Sequence, residues 1–360
     1  MEVLNVSIIG EFEDVHPYMD YLLVLTPERE VQVVDWQAWL EDSLSSMDPR
    51  VRDVWQWALG GNSKKLPKQA QLAEDEPRTL TLPAFTERYI VGRLEAEVEP
   101  FADWTIYNRA LYIAGEARLS VFPLRINGHY DGNDPPITLS DLPALQLGAR
   151  WGVLAASCGT EGFLAKSAYV WESQMSSMPL PEISRHIERP ADRVSWFNYD
   201  LFAIAAGELA WYRNAYVGSP SGLYEGEQVA MSSFGISEQA DEELFAAGGA
   251  TFESGFASKT MAYLWNANQV MAYGFDRSHH LDEKRSFTVP AGSIYAGMTF
   301  AGGIALDTDR GTFHVNALNL DDQLVSGDPN LVVRVFNRAQ FYKRQVWSVK
   351  QDRLDISIVL

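Results

Sequence analysis

Two stretches of the chain align without a gap. Trp104-Thr105-Ile106-Tyr107 leads through an apolar run to Ala114-Gly115-Glu116, and Trp196-Phe197-Asn198-Tyr199 leads through another to Ala206-Gly207-Glu208. Each reads Trp-x-x-Tyr, apolar run, Ala-Gly-Glu, apolar run. A looser third copy, YMDYLLVLTPEREVQVVDW, begins at Tyr18. Each copy reads as two short strands joined by a tight polar turn, because apolar runs of strand length are bounded by turn residues. A hairpin that keeps returning points to a stacked or radial all-β architecture.

Further hairpins extend the pattern in both directions. RALYIAG with RLSVFPLR occupies residues 109–125, and WGVLAAS with GFLAKSAYVW follows at 151–171. LFAIAAG with ELAWYRN lies at 201–214, TMAYLW with QVMAYGF at 261–275, and GGIALD with GTFHVNAL at 302–318. The last, VWSVKQDRLDISIVL, turns at Gln351-Asp352. With YLLVL and VQVVDW near the start, that makes seven, and beyond the first gap their starts lie about 40–60 residues apart. Residues 3–9 alternate as a strand that is free to pair with the C-terminal one.

In period and hairpin pattern the chain resembles the β-propellers of the WD40-like or quinoprotein-like kind, over most of its length. Neither a recurring Gly-His…Trp-Asp signature nor a kelch double glycine accompanies the pattern; the nearest element is the reversed Asp35-Trp36. The resemblance implies an all-β propeller of about seven blades, 1–360 forming a single domain. It implies a platform whose loops and central channel bind partners, and no particular reaction.

Three stretches interrupt the rhythm. Residues 37–60 read as a helical hairpin insertion near the N-terminus: Asp48-Pro49 is an N-cap followed by a proline at the first helical position, and Gly60-Gly61 is a stop. Within it Val51, Val54, Trp55 and Ala58 line one face, and Trp57 falls off that stripe. Residues 62–80 are polar and are expected to form an exposed, mobile loop. Residues 216–258, rich in Gly, Ser and acids, read as an inter-blade insertion with a short helix around Ser237 to Ala247.

Composition narrows the functions. The chain has 360 residues, 48 acidic against 29 basic, and a net charge of −19. Such a surface repels phosphate backbones, which argues against direct nucleic-acid binding. Arg334, Arg338, Lys343, Arg344, Lys350 and Arg353 break this bias within a stretch holding one acid, Asp352. They form either a solvated face or a contact patch for an acidic partner. The 11 Trp suit packed β layers. No apolar run reaches the roughly 18 residues of a membrane-spanning helix. Residues 1–14 lack a basic segment and a long apolar core, and a cytoplasmic location is expected.

Chemistry is sparse. No phosphate-cradling G-x-x-x-x-G-K-[ST], no G-x-G-x-x-G after a strand, no H-E-x-x-H and no G-x-S-x-G occurs, and no cofactor or metal is expected. Cys158, the single cysteine, reads as a small buried hydrophobe. Glu116 and Glu208 occupy the same place in two repeats and suit hairpin tips. The reading is a non-catalytic protein–protein interaction module, a scaffold, sensor or regulatory subunit in a hetero-complex. Trp55, Trp57, Arg338, Lys343 and Arg344 are the candidate partner-binding residues. The alternative is a propeller-type hydrolase or lyase with carboxylates at the central channel.

Overall fold

The computed structural model describes residues 3–60, 72–73, 75–95, 101–126, 129–150, 153–168, 184–197, 200–205, 208–214, 236–239, 252–257, 261–275, 281–301, 303–316, 323–326, 328–336 and 342–359. The chain divides into two compact units, Met1–Ala96 with Pro290–Leu360, and Glu97–Val289.

All seven hairpins form, each as the second and third strands of a sheet. Several of these strands are buried along their whole length because both their faces are covered. Tyr21–Leu25, Val153–Ser157 and Gln345–Val349 are buried at every position. Six sheets are antiparallel, four strands across and in chain order. In one of them the outer position is shared by Tyr130–Asn133 and Ile137–Ser140, both paired with Leu119–Ile126. Within each unit the first strands of neighbouring sheets lie side by side.

The remaining sheet is composite, which corrects the expectation of about seven like blades to six blades of this kind. It takes Val332–Val335, Gln345–Val349 and Arg353–Val359 from the end of the chain and β1 (Val3–Ile9) from its beginning. β1 pairs antiparallel with Arg353–Val359 from Val3↔Val359 to Ile9↔Arg353, as its alternating pattern led us to expect. A fifth strand, Thr79–Leu82, adds to β1 in parallel. That pairing places residues 79 and 80, the end of the expected loop of 62–80, in a strand, where Leu80 and Leu82 bury against the core while Thr79 and Thr81 are exposed. Residues 61–71 and 74 lie outside the described residues.

The helical insertion follows the sheet strands β2 (Asp14–Tyr18), β3 (Tyr21–Leu25) and β4 (Glu30–Asp35). Helix α1 spans Trp36–Ser43 and α2 spans Pro49–Leu59. Asp35 caps α1 by accepting from the Ala38 amide, and Asp48 caps α2 by accepting from the Arg50 amide, each satisfying a donor the helix leaves unpaired. The insertion does not project freely. Trp36, Trp39 and Trp55 bury in one core with Leu4, Val6, Ile8, Trp347 and Ile356 of the composite sheet. Trp36 stacks on Trp39 with ring centroids 5.1 Å apart.

The stretch 216–258 is not wholly an insertion. Ile236–Gln239 is the outer strand beside Glu208–Asn214, and Ser254–Ala257 is the first strand of the next sheet. Ser237 therefore lies in a strand and not in the expected helix; residues 215–235 and 240–251 lie outside the described residues.

Candidate functional site

The site is built where three connections of the first unit meet. The turn between β2 and β3 presents Met19, held at φ 55°. Its carbonyl accepts from the Tyr342 hydroxyl at 2.6 Å, and the Asp20 carbonyl accepts from the amides of Trp36 and Gln37 at the start of α1. The Tyr342–Arg344 turn closes through the Gln345 amide, which donates to the Tyr342 carbonyl at 3.0 Å. Gln345 then reaches α2: its Nε2 donates to the Ala58 carbonyl at 2.6 Å, while its Oε1 accepts from Trp347 Nε1 at 2.9 Å. The Leu59 carbonyl accepts from Trp36 Nε1 at 3.0 Å. The last carbonyls of α2, which no helix can satisfy internally, are thus capped by two buried side chains from other elements.

This framework ties together the backbone next to residues that the sequence offers separately. Trp57 is one position from Ala58, and Lys343 and Arg344 immediately precede Gln345. Lys343 and Arg344 are exposed, Trp57 is half-buried, and Met19 is 44% exposed. Trp55, by contrast, is fully buried in the core and has no surface to offer a partner. Its place on the apolar stripe of α2 carried that information. Arg338 lies outside the described residues. Met19 had no signal beyond an apolar residue in a turn, so sequence reasoning missed it.

The electrostatics are uneven. Beneath the surface, burial and the neighbouring Asp20 push the Tyr342 hydroxyl up, so it stays a donor. Asp20 is itself raised by burial and by Asp35. The other described members of the C-terminal basic run, Arg334, Lys350 and Arg353, are paired. Arg334 makes a two-pronged contact with buried Asp14, Lys350 lies 3.1 Å from Asp355, and Arg353 lies 3.0 Å from Asp328. No carboxylate is recorded within ion-pair distance of Lys343 or Arg344 among the described residues.

Residues weighed for chemistry take structural places. Cys158 is buried, and that burial pushes its thiol up to about 11, far from a reactive thiolate. Glu116 is exposed at the tip after Gly115, and the side chain of Glu208 lies outside the described residues. Of the carboxylates on first strands, Asp14 is held by Arg334, and Asp103 accepts from the Leu147 amide at 2.8 Å. No helix among the described residues is long and apolar enough to cross a membrane.

No family model and no curated protein matches the sequence. Solved structures do. The β-propeller domain of Cps50 (Swd1) from Myceliophteria thermophila is 9% identical, with a TM-score of 0.54 over 98% of this chain and 97% of that one. The WD40 β-propeller domain of Doa1 is 11% identical, with a TM-score of 0.51 over 98% and 95%. BBS1N, crystallised in complex with ARL6DN, is 11% identical, with a TM-score of 0.51 over 98% and 93%. At these identities the likeness is one of fold, and the fold is a β-propeller.

Proposed function

We propose that this propeller is a non-catalytic protein-interaction platform, acting as a scaffold, sensor or regulatory subunit in a hetero-complex. One observation carries the reading. Exposed bases and a half-buried tryptophan stand on a frame held by a part-buried hydrogen bond at Tyr342 and buried ones at Gln345 and Trp36. A rigid surface loses little conformational freedom on binding, so its contacts convert efficiently into affinity. BBS1N, to which this chain is similar in fold, was crystallised in complex with ARL6DN, which supports the same use of the fold. The hydrolase alternative is weaker, because Asp14 is held by Arg334 and Asp103 accepts from the Leu147 amide, so each carboxylate is engaged in a structural contact.

The test is affinity purification of the tagged full chain from its own host at moderate salt, with mass spectrometry of what co-elutes. A reproducible stoichiometric partner is the expected outcome. A clean monomer overturns the reading.

A further inference from the structure

We propose that the surface formed by Met19, Trp57, Lys343 and Arg344 docks an acidic segment of a protein partner, a run of Asp and Glu carrying an apolar side chain. This rests on the platform reading above and names the chemistry of the partner.

Charge is the first argument. The chain carries 48 acids against 29 bases, so an acidic segment is repelled by most of its surface. Many bases of the same unit are neutralised where they stand: Arg334 by Asp14, Lys350 by Asp355, Arg353 by Asp328, Arg93 by Glu87 and Arg88 by Asp42. Lys343 and Arg344 are adjacent and exposed, with no carboxylate recorded within ion-pair distance among the described residues. A positive spot in a negative field gives direction as well as attraction. Wrong registers on the surrounding surface are penalised, so the field itself selects the docking position.

Apolar contact is the second argument. Met19 is 44% exposed in a turn at φ 55°, and its carbonyl is held by the Tyr342 hydroxyl. A thioether adapts to many side-chain shapes. Trp57, half-buried against the α2 core, offers the kind of flat ring that dominates interfaces. The bases recognise carboxylates, and Met19 and Trp57 each offer apolar surface to a side chain, which together describe an acidic-hydrophobic segment. Nucleic acid fits less well, because two bases against a net charge of −19 release few counterions.

The experiment uses the full chain and fluorescence anisotropy with a labelled short peptide of Asp and Glu flanking one Leu. A matched peptide with Lys and Ser in place of the acids and a labelled single-stranded oligonucleotide are the comparisons. Binding of the acidic peptide alone is expected, weakening with salt. K343E/R344E should weaken it by about tenfold or more, and M19S and W57A by several-fold each. Arg50→Glu, at the far end of α2, should leave binding unchanged, and thermal melts confirm that each variant is folded. No binding of the acidic peptide by the parent chain, equal binding by K343E/R344E, or tighter binding of the oligonucleotide overturns the proposal. The two readings fail separately. If K343E/R344E still recovers a stoichiometric partner from the host, the surface is wrong and the platform stands. If the parent chain recovers none, the platform itself falls.

Discussion

The side-chain amide of Gln345 donates to the backbone carbonyl of Ala58 at 2.6 Å and so ties residues 287 positions apart. The same side chain accepts from Trp347 Nε1. Gln345 is fully buried, so Gln345→Ala strands a carbonyl and an indole N–H away from water. We expect a loss of about 1–3 kcal/mol, the cost of leaving buried polar groups unpaired. Urea denaturation should show a lower midpoint with an unchanged slope. A midpoint equal to that of the parent chain would mean that water replaces the amide.

Trp55 and Trp57 sit two residues apart on α2 and should behave in opposite ways. Trp55→Ala removes a fully buried indole from the core shared by the insertion and the composite sheet. A loss of about 3–5 kcal/mol is expected, as for other large-to-small core changes. Trp57→Ala removes a half-buried ring and should cost far less. Parallel thermal melts of the two single variants check this; equal losses would place Trp57 in the core as well.

The repeated Trp-x-x-Tyr…Ala-Gly-Glu made the hairpins legible because many second and third strands, Tyr21–Leu25 and Ala110–Gly115 among them, are covered on both faces and read as apolar runs. Outer strands carry no such mark. Leu281–Thr288 reads LDEKRSFT and Ile236–Gln239 reads ISEQ, so both look like loop until their pairing is seen. Thr79–Leu82 was hidden for a different reason: its parallel partner, β1, lies far back in the chain, with β2, β3, β4 and both helices between them. At the site, Lys343 and Arg344 were visible as charge and Trp57 as an exception to a stripe. Their convergence depends on Gln345 meeting Ala58, a long-range contact that no local pattern encodes.

Asp14 and Arg334 join the first strand of one sheet to the first strand of the composite sheet. Arg334 Nε lies 3.1 Å and 3.2 Å from the two carboxylate oxygens, and Nη2 adds a further contact to Oδ2. Asp14 is buried, so Arg334→Met leaves a carboxylate with its main counter-charge gone. About 3–5 kcal/mol of destabilisation is expected for breaking a buried pair from one side. Changing both partners, as D14N/R334M, should cost less than Arg334→Met alone. A double-mutant cycle from denaturant unfolding decides the point, and simple additivity would deny the coupling.

His16 and His314 set how the fold responds to acid. Burial, with the Arg334 charge behind it, lowers His16 to about 3, while burial alone lowers His314 to about 4. His314 Nε2 has no hydrogen-bond partner among the described residues, and its ring lies 5.7 Å from that of Phe300. Both histidines are neutral in the folded chain at pH 7. The unfolded chain takes up protons from about pH 6.5 downward, whereas the folded one resists until far lower. Since the unfolded state then binds more protons, stability falls as the pH drops from 6.5 towards 4, with no such loss above pH 7. His314→Phe removes one of the two titrating groups and should flatten this acid limb, leaving the contribution of His16. Denaturant midpoints measured at neutral pH and near pH 4.5 for the parent and the variant check it. An acid limb of unchanged steepness in His314→Phe would show that the imidazole already finds a proton acceptor in the fold.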